Sequence, residues 1–199
     1  MNPIRPRLFH LALLMLPMLL AGCSDEFFPK PKGYIRIELP PHEYLTYDEA
    51  CPFQFDHSKY AFPLPVKGRG KNACWINLHY PSYNATIHLS YHPVNGDLHK
   101  LMEDSRTLAM KHIPKATDIE ESLYRNEGAN VYGITYNFIG STASDYQFFL
   151  TDSANHFIRG AMYFNISPNP DSLAPVSAYI KEDLRRFIGN FRWRDENGV

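Results

Sequence analysis

No stretch of about twenty consecutive apolar residues occurs in this sequence, so nothing in it has the length of an ordinary membrane-spanning helix. Neither sign of charge is in excess: 20 Lys and Arg stand against 21 Asp and Glu. That balance excludes the broad basic footprint that nucleic-acid binding requires. The common catalytic signatures are missing as well. There is no GxSxG or SxxK nucleophile motif, no HExxH, no CxxC and no GxxxxGK[ST] phosphate loop. Enzyme activity is therefore not expected, and no cofactor or small-molecule substrate is implied. No internal repeat is present. What the chain does carry is apolar and aromatic, 44% hydrophobic and 14% aromatic residues, too much for a disordered chain. Its 199 residues suit one domain with attachments, at about 150 residues per domain.

The N-terminal segment reads as an address. Arg5 and Arg7 precede an apolar stretch, residues 8–20, that His10 and Pro17 interrupt. A basic start, a short apolar run and then small residues is the layout of a secretory signal. The run ends in Leu20-Ala21-Gly22-Cys23, which resembles the bacterial lipobox, whose cysteine is lipidated and becomes the mature N-terminus. The alternative is an ordinary signal peptide with a chance cysteine. On the lipobox reading, residues 1–22 are removed, and several acyl chains on Cys23 anchor the protein to a membrane without crossing it. The membrane expected is the outer membrane, facing the periplasm. Ser24-Asp25-Glu26 serves as a solvated tether, or else as a sorting signal to the cell surface. Alternating prolines in Pro29-Lys30-Pro31-Lys32 favour an extended spacer. Residues 23–33 then form the lipidated cysteine and tether, and residues 34–199 a single domain.

With Cys23 lipidated, Cys51 and Cys74 remain. An even pair in an exported domain reads as a disulfide, because oxidising compartments permit it. The alternatives are two buried thiols or half of a metal site. A Cys51–Cys74 bond would stabilise the fold by about 3 kcal/mol in the chain-entropy account.

Hydrophobic periodicity lays out the domain. Tyr34-Ile35-Arg36-Ile37-Glu38-Leu39 alternates like a strand, and residues 42–73 are expected to be irregular, with short strands near Phe53-Gln54-Phe55 and Tyr60-Ala61-Phe62. Residues 75–80 and 85–92 form a hairpin across Pro81-Ser82-Tyr83-Asn84. Its core face carries Ile76, Leu78, Tyr80, Ile87, Leu89 and Tyr91 by period-two alternation. A helix follows Asn95-Gly96-Asp97, with Leu98, Leu101, Met102, Ser105, Leu108, Ala109 and His112 at helical spacing up to Pro114. Strands at 119–125, 131–139, 146–151 and 157–166, separated by short turns, make an antiparallel meander. A final helix, capped by Asp171 or Ser172, places Leu173, Val176, Ile180, Leu184, Phe187 and Phe191 in one stripe. The result is an α+β domain, one twisted antiparallel sheet with packed helices. Its element order is similar to that of the PsbP/Mog1-like fold.

Nine histidines raise the question of a metal. His88 and His92 share a strand face, and pairing of Leu78 with Leu89 would bring His79 opposite His88. Without HExxH or a convergent carboxylate, no metal ligand is assigned, and a hydrolase built on these three residues is the weakest reading. Lys67-Gly68-Arg69-Gly70-Lys71 is a solvated loop, or a contact for anionic glycan or lipid headgroups. Asp152-Ser153 is accounted for by a turn.

Several stretches together resemble the gliding motility-associated lipoprotein GldD family of Bacteroidota. They are Pro29-Lys30-Pro31-Lys32-Gly33-Tyr34-Ile35-Arg36, Cys51-Pro52-Phe53, Cys74-Trp75-Ile76-Asn77-Leu78 and Ala109-Met110-Lys111-His112-Ile113. Later ones are Phe148-Phe149-Leu150-Thr151-Asp152-Ser153, His156-Phe157-Ile158-Arg159-Gly160-Ala161 and Pro168-Asn169-Pro170-Asp171-Ser172-Leu173-Ala174-Pro175-Val176. The resemblance implies an envelope lipoprotein needed for gliding and for the associated type IX secretion machinery, with no catalytic residues. Its expected partners are other envelope proteins of that apparatus. The alternative from a different class is a module that binds peptidoglycan or another envelope glycan.

Overall fold

Alternating apolar side chains from Ile76 onward build six strands of a seven-stranded antiparallel sheet, and the longest two described helices cover its two faces. The computed structural model describes residues 37–66, 74–165 and 170–194. The signal segment, Cys23, the tether and the Lys67-Gly68-Arg69-Gly70-Lys71 loop lie outside the described residues. The large sheet contains β3 (Phe62–Pro65), β4 (Ile76–Tyr80), β5 (Ala85–Pro93), β6 (Ala116–Asn126), β7 (Val131–Gly140), β8 (Tyr146–Thr151) and β9 (His156–Phe164). Their order across it is β3-β4-β5-β9-β8-β7-β6. The meander of β6 to β9 folds back so that β9 closes against β5, from Ala85 opposite Phe164 to Pro93 opposite His156. Helix α1 (Leu98–Met110) bridges β5 and β6, and helix α2 (Pro170–Asn190) follows β9.

A second, three-stranded sheet joins this antiparallel framework. It has the order β1-β2-β10, from β1 (Tyr44–Tyr47), β2 (Phe53–Ser58) and the two-residue β10 (Arg192–Trp193). Helix α2 lies between the two sheets. The Phe187 ring sits 5.5 Å from Phe148 of the large sheet and 4.5 Å from Phe55 of the small one. Phe53, Phe55, Ile76, Leu78, Tyr80, Ile87, Leu89, Phe148, Leu150, Ile158, Met162, Ile180, Leu184, Phe187 and Phe191 all belong to this core and are at most 2% exposed. Gly160 makes the packing possible. A Cβ there would lie 2.2 Å from the Phe148 ring, so the bare backbone lets that ring lie flat and reach Phe187.

The expected hairpin core face is the buried one, and β8 spans 146–151 as anticipated. Four local expectations are corrected. The register of β4 and β5 pairs Leu78 with Ile87 and Ile76 with Leu89, because the four residues 81–84 close the turn with Tyr80 opposite Ala85. His79 therefore faces Thr86, not His88. Ile37, Glu38 and Leu39 form no strand. The strand expected at residues 60–62 starts at Phe62, after a turn in which the Ala61 amide donates to the Ser58 carbonyl at 2.9 Å. Helix α2 begins at Pro170, so Asp171 and Ser172 lie in its first turn. Proline suits that position because its missing amide hydrogen would have no intrahelical partner there.

Candidate functional site

Cys51 and Cys74 are joined in a disulfide, with Cα atoms 5.7 Å apart across 23 residues. The bond ties the segment entering β2 to the segment entering β4, so the small sheet is fastened to the large one. Tyr47 and Cys51 pack on the same core from its rim.

One polar cluster is buried on the α2 side. The Asp183 side chain is 2% exposed. Its Oδ1 lies 2.7 Å from His42 Nδ1, and its Oδ2 accepts from the Tyr80 hydroxyl at 3.2 Å. Burial first, and the Asp183 charge second, push Tyr80 well up and Tyr179 up to about 12. Both phenols therefore stay protonated at neutral pH. His42 also stacks on Tyr179 at 4.2 Å. This cluster holds the segment that enters the domain against α2. Its function is attachment.

The opposite face of the large sheet carries the alternate residues of the same strands and differs in chemistry. Asn77, His88, Ser90, His92, Phe157 and Arg159 line a cleft of about 520 Å³ between the sheet and Leu101, Asp104, Ser105 and Leu108 of α1. Only Ser105 and Ala109 of α1 are buried. The Asp97 carboxylate does not cap the helix, because it accepts from the Asn95 amide at 2.9 Å instead. Arg159 donates through Nη2 to Gln147 Oε1 at 2.5 Å. Its Nε and the Gln147 Nε2 are buried and have no hydrogen-bond partner among the described residues. No described carboxylate forms an ion pair with Arg159. Burial pulls the Arg159 pKa down, and the Tyr163 hydroxyl works against that shift.

Two of the histidines, His88 and His112, lie near enough to feel this cation. His88 bonds Asn77 Oδ1 through Nδ1 at 2.7 Å. An amide oxygen only accepts, so that nitrogen carries the proton. His112, just beyond α1, packs 5.4 Å from Phe138 and 6.2 Å from Tyr163. Burial, and then the Arg159 charge, lowers both His88 and His112 below the ordinary imidazole value. His92 lies edge-on to Trp75 at 5.4 Å. His79 turns to Thr86 Oγ1 at 3.2 Å. Among the described residues no three His, Cys, Asp or Glu side chains gather closely enough to hold a metal ion. The three histidines of the hydrolase reading are thus dispersed over separate partners.

Asp152 forms the turn between β8 and β9. Its Oδ1 accepts from the amides of Ala154, Asn155 and His156 at 2.8–3.0 Å. Burial acts to raise its pKa, but these three bonds and His156 outweigh it and hold the carboxyl below its usual value. Arg159 and Asp183 were not singled out by sequence reasoning. Arg159 alternates with Phe157 and Ala161, so its face was readable, but its depth and lack of a partner were not.

The solution structure of cyanobacterial PsbP (CyanoP) from Synechocystis sp. PCC 6803 is similar to this chain at 10% identity and a TM-score of 0.46, covering 80% of this chain and 97% of that one. No curated protein matches. Residues 24–193 match the family described as gliding motility lipoprotein GldD. That span takes in the disulfide, the aromatic core around α2 and the Arg159 cleft. By the extent of that match, the chain belongs to the GldD family of gliding motility lipoproteins.

Proposed function

We propose that this lipoprotein is a non-catalytic accessory component that stabilises a neighbouring envelope complex of the gliding motility and type IX secretion apparatus. The observation that carries the reading is family membership over residues 24–193, which ties the chain to gliding motility and to the cell envelope. In this reading residues 1–22 are cleaved and Cys23 bears the lipid. Residues 24–33 hold the domain of residues 34–199 off the periplasmic side of the outer membrane. Anchoring raises the local concentration of the domain, so a weak intrinsic contact becomes well occupied. The sheet edges support a contact role. β3 carries Pro63 and Pro65, and prolines on an edge strand block pairing with another chain. β6, at the other edge, runs for 11 residues without proline, and its Leu123 is 76% exposed. Asp118, Glu120, Glu121 and Arg125 on the same strand discourage indiscriminate pairing and favour a partner of complementary charge.

Crosslinking in intact cells, followed by identification of the captured proteins, tests the reading. Envelope proteins of the apparatus should be captured, and deletion should abolish spreading and secretion while the partner complex falls apart. A Cys23→Ala chain should remain an uncleaved precursor and complement poorly at native level. Full activity of that chain at native level, or an intact partner complex in the deletion strain, would overturn the proposal.

A further inference from the structure

We infer that the cleft beneath α1 binds a monocarboxylate with an apolar body, its carboxylate received by the Arg159 guanidinium. The inference concerns a different surface from the β6 edge and does not depend on the accessory role.

Arg159 lines the cleft with more donors than its neighbours accept from. A guanidinium carries five N–H donors. The Gln147 Oε1 takes one of them at 2.5 Å, and the Tyr163 hydroxyl is a further polar neighbour. Arg159 Nε and the Nε2 of Gln147, a residue outside the cleft lining, are buried with no described acceptor, although buried donors in folded proteins are almost always paired. A carboxylate brings two oxygens with about four lone-pair sites and matches the planar fork of an arginine. It also brings the negative charge that this half-buried cation lacks. The neighbouring histidines add no cationic competition, because both His88 and His112 are held below their ordinary pKa by burial.

The remaining walls narrow the ligand class. Asp104 stands on the exposed rim of the cleft, so a dianion such as phosphate meets a like charge that a monoanion feels less. Val66, Leu101, Leu108 and Phe157 supply apolar lining, and Leu108 is 40% exposed, available to an apolar substituent. The volume of about 520 Å³ falls within the range of small-molecule sites, about 300–1,000 Å³. A free acid of the size of an acylated amino acid and the last residue of a peptide share this chemistry.

Calorimetric titration of the intact lipoprotein in non-ionic detergent tests the site. N-acetyl-L-leucine should bind saturably. N-acetyl-L-leucinamide, which keeps the body and lacks the carboxylate, should bind about tenfold or more weakly, the factor expected for losing a hydrogen bond to a charged group. Inorganic phosphate should also bind more weakly than the acid. Arg159→Gln should erase the difference between acid and amide. Leu101→Phe, which fills the cleft and keeps the charge, should weaken the acid by a similar factor. It decides the matter if Arg159→Gln shows no cooperative unfolding transition. A pentapeptide ending in leucine separates the sources: binding at least as tight as the acid points to chain termini, and binding of the free acid alone to a small molecule. Equal binding of acid and amide, or undiminished acid binding in the folded variants, would overturn the inference.

Discussion

The two faces of the large sheet come from alternate residues of the same strands and differ in character, although both bury apolar side chains, on the α1 side Tyr136 and Phe138 against Ala109. Under α2, Ile87, Leu89, Phe148, Leu150, Ile158 and Met162 close into a core at most 1% exposed, because a second sheet covers the helix from outside. Under α1, the intervening residues include His88, Ser90, Gln147 and Arg159, and among the described residues no second sheet covers the helix. One face is sealed by three layers of aromatic packing. The other is spanned by a single amphipathic helix with a cleft beneath it. On the α2 side the buried charge, Asp183, is matched by His42 and Tyr80, whereas on the α1 side Arg159 is left without an ion pair among the described residues. A cation kept half-buried without an ion pair is costly to the fold, which makes its position on the open face informative.

Phe187→Ala is the severest way to break the comparison. It removes the ring that touches both sheets and should cost about 3–5 kcal/mol, measured by urea unfolding. Replacing Cys51 and Cys74 together by serine unfastens the small sheet from the large one. It should cost about 3 kcal/mol and lower the thermal midpoint, while acid binding in the cleft stays unchanged. Leu101→Ala, on the open face, should cost only about 1 kcal/mol. The side chain is half-buried, and no closed cavity forms where the cleft already reaches solvent. A loss as large as that of Phe187→Ala would end the distinction between the faces.

The smallest signal is a pH dependence confined to the open face. His88 and His112 titrate below their ordinary value of 6.5 in the fold, so the unfolded chain binds more protons in the interval beneath it. Stability should be fully present above that pH and decline as pH falls from it towards the folded pKa values. The double variant His88→Gln, His112→Gln should flatten that decline in unfolding midpoints taken from pH 7 to pH 5. An unchanged slope would show that the histidines are as well solvated folded as unfolded.

Local patterns were legible where one element carried its own signal. The alternation of Ile76, Leu78, Tyr80, Ile87, Leu89 and Tyr91 marked a core face, and of the stripe Leu173, Val176, Ile180, Leu184, Phe187 and Phe191 all but the half-buried Leu173 are buried, with Phe191 just beyond the end of α2. The pairing of Cys51 with Cys74 followed from parity and compartment. β1 and β10 were not legible. Four residues and two residues hold too little periodicity to register, and they become strands because β2 is already fixed against α2. The hairpin register was missed by two residues for a related reason. Alternation is preserved by a shift of two, so it cannot choose between Leu78 opposite Leu89 and Leu78 opposite Ile87. The closure of the turn chooses.

The sequence by itself determined which residues alternate, where two amphipathic helices run and which family pattern the chain carries, since all of these are read along the chain. Only the tertiary structure decided which face of the sheet is sealed and which is open. It also decided that Asp183 is buried against His42 and Tyr80, and that Arg159 lies in a cleft with no described carboxylate paired to it. The reason is physical. Alternation states that a strand has two faces, but what covers each face depends on elements distant in sequence, and burial and charge pairing exist only once those elements have packed.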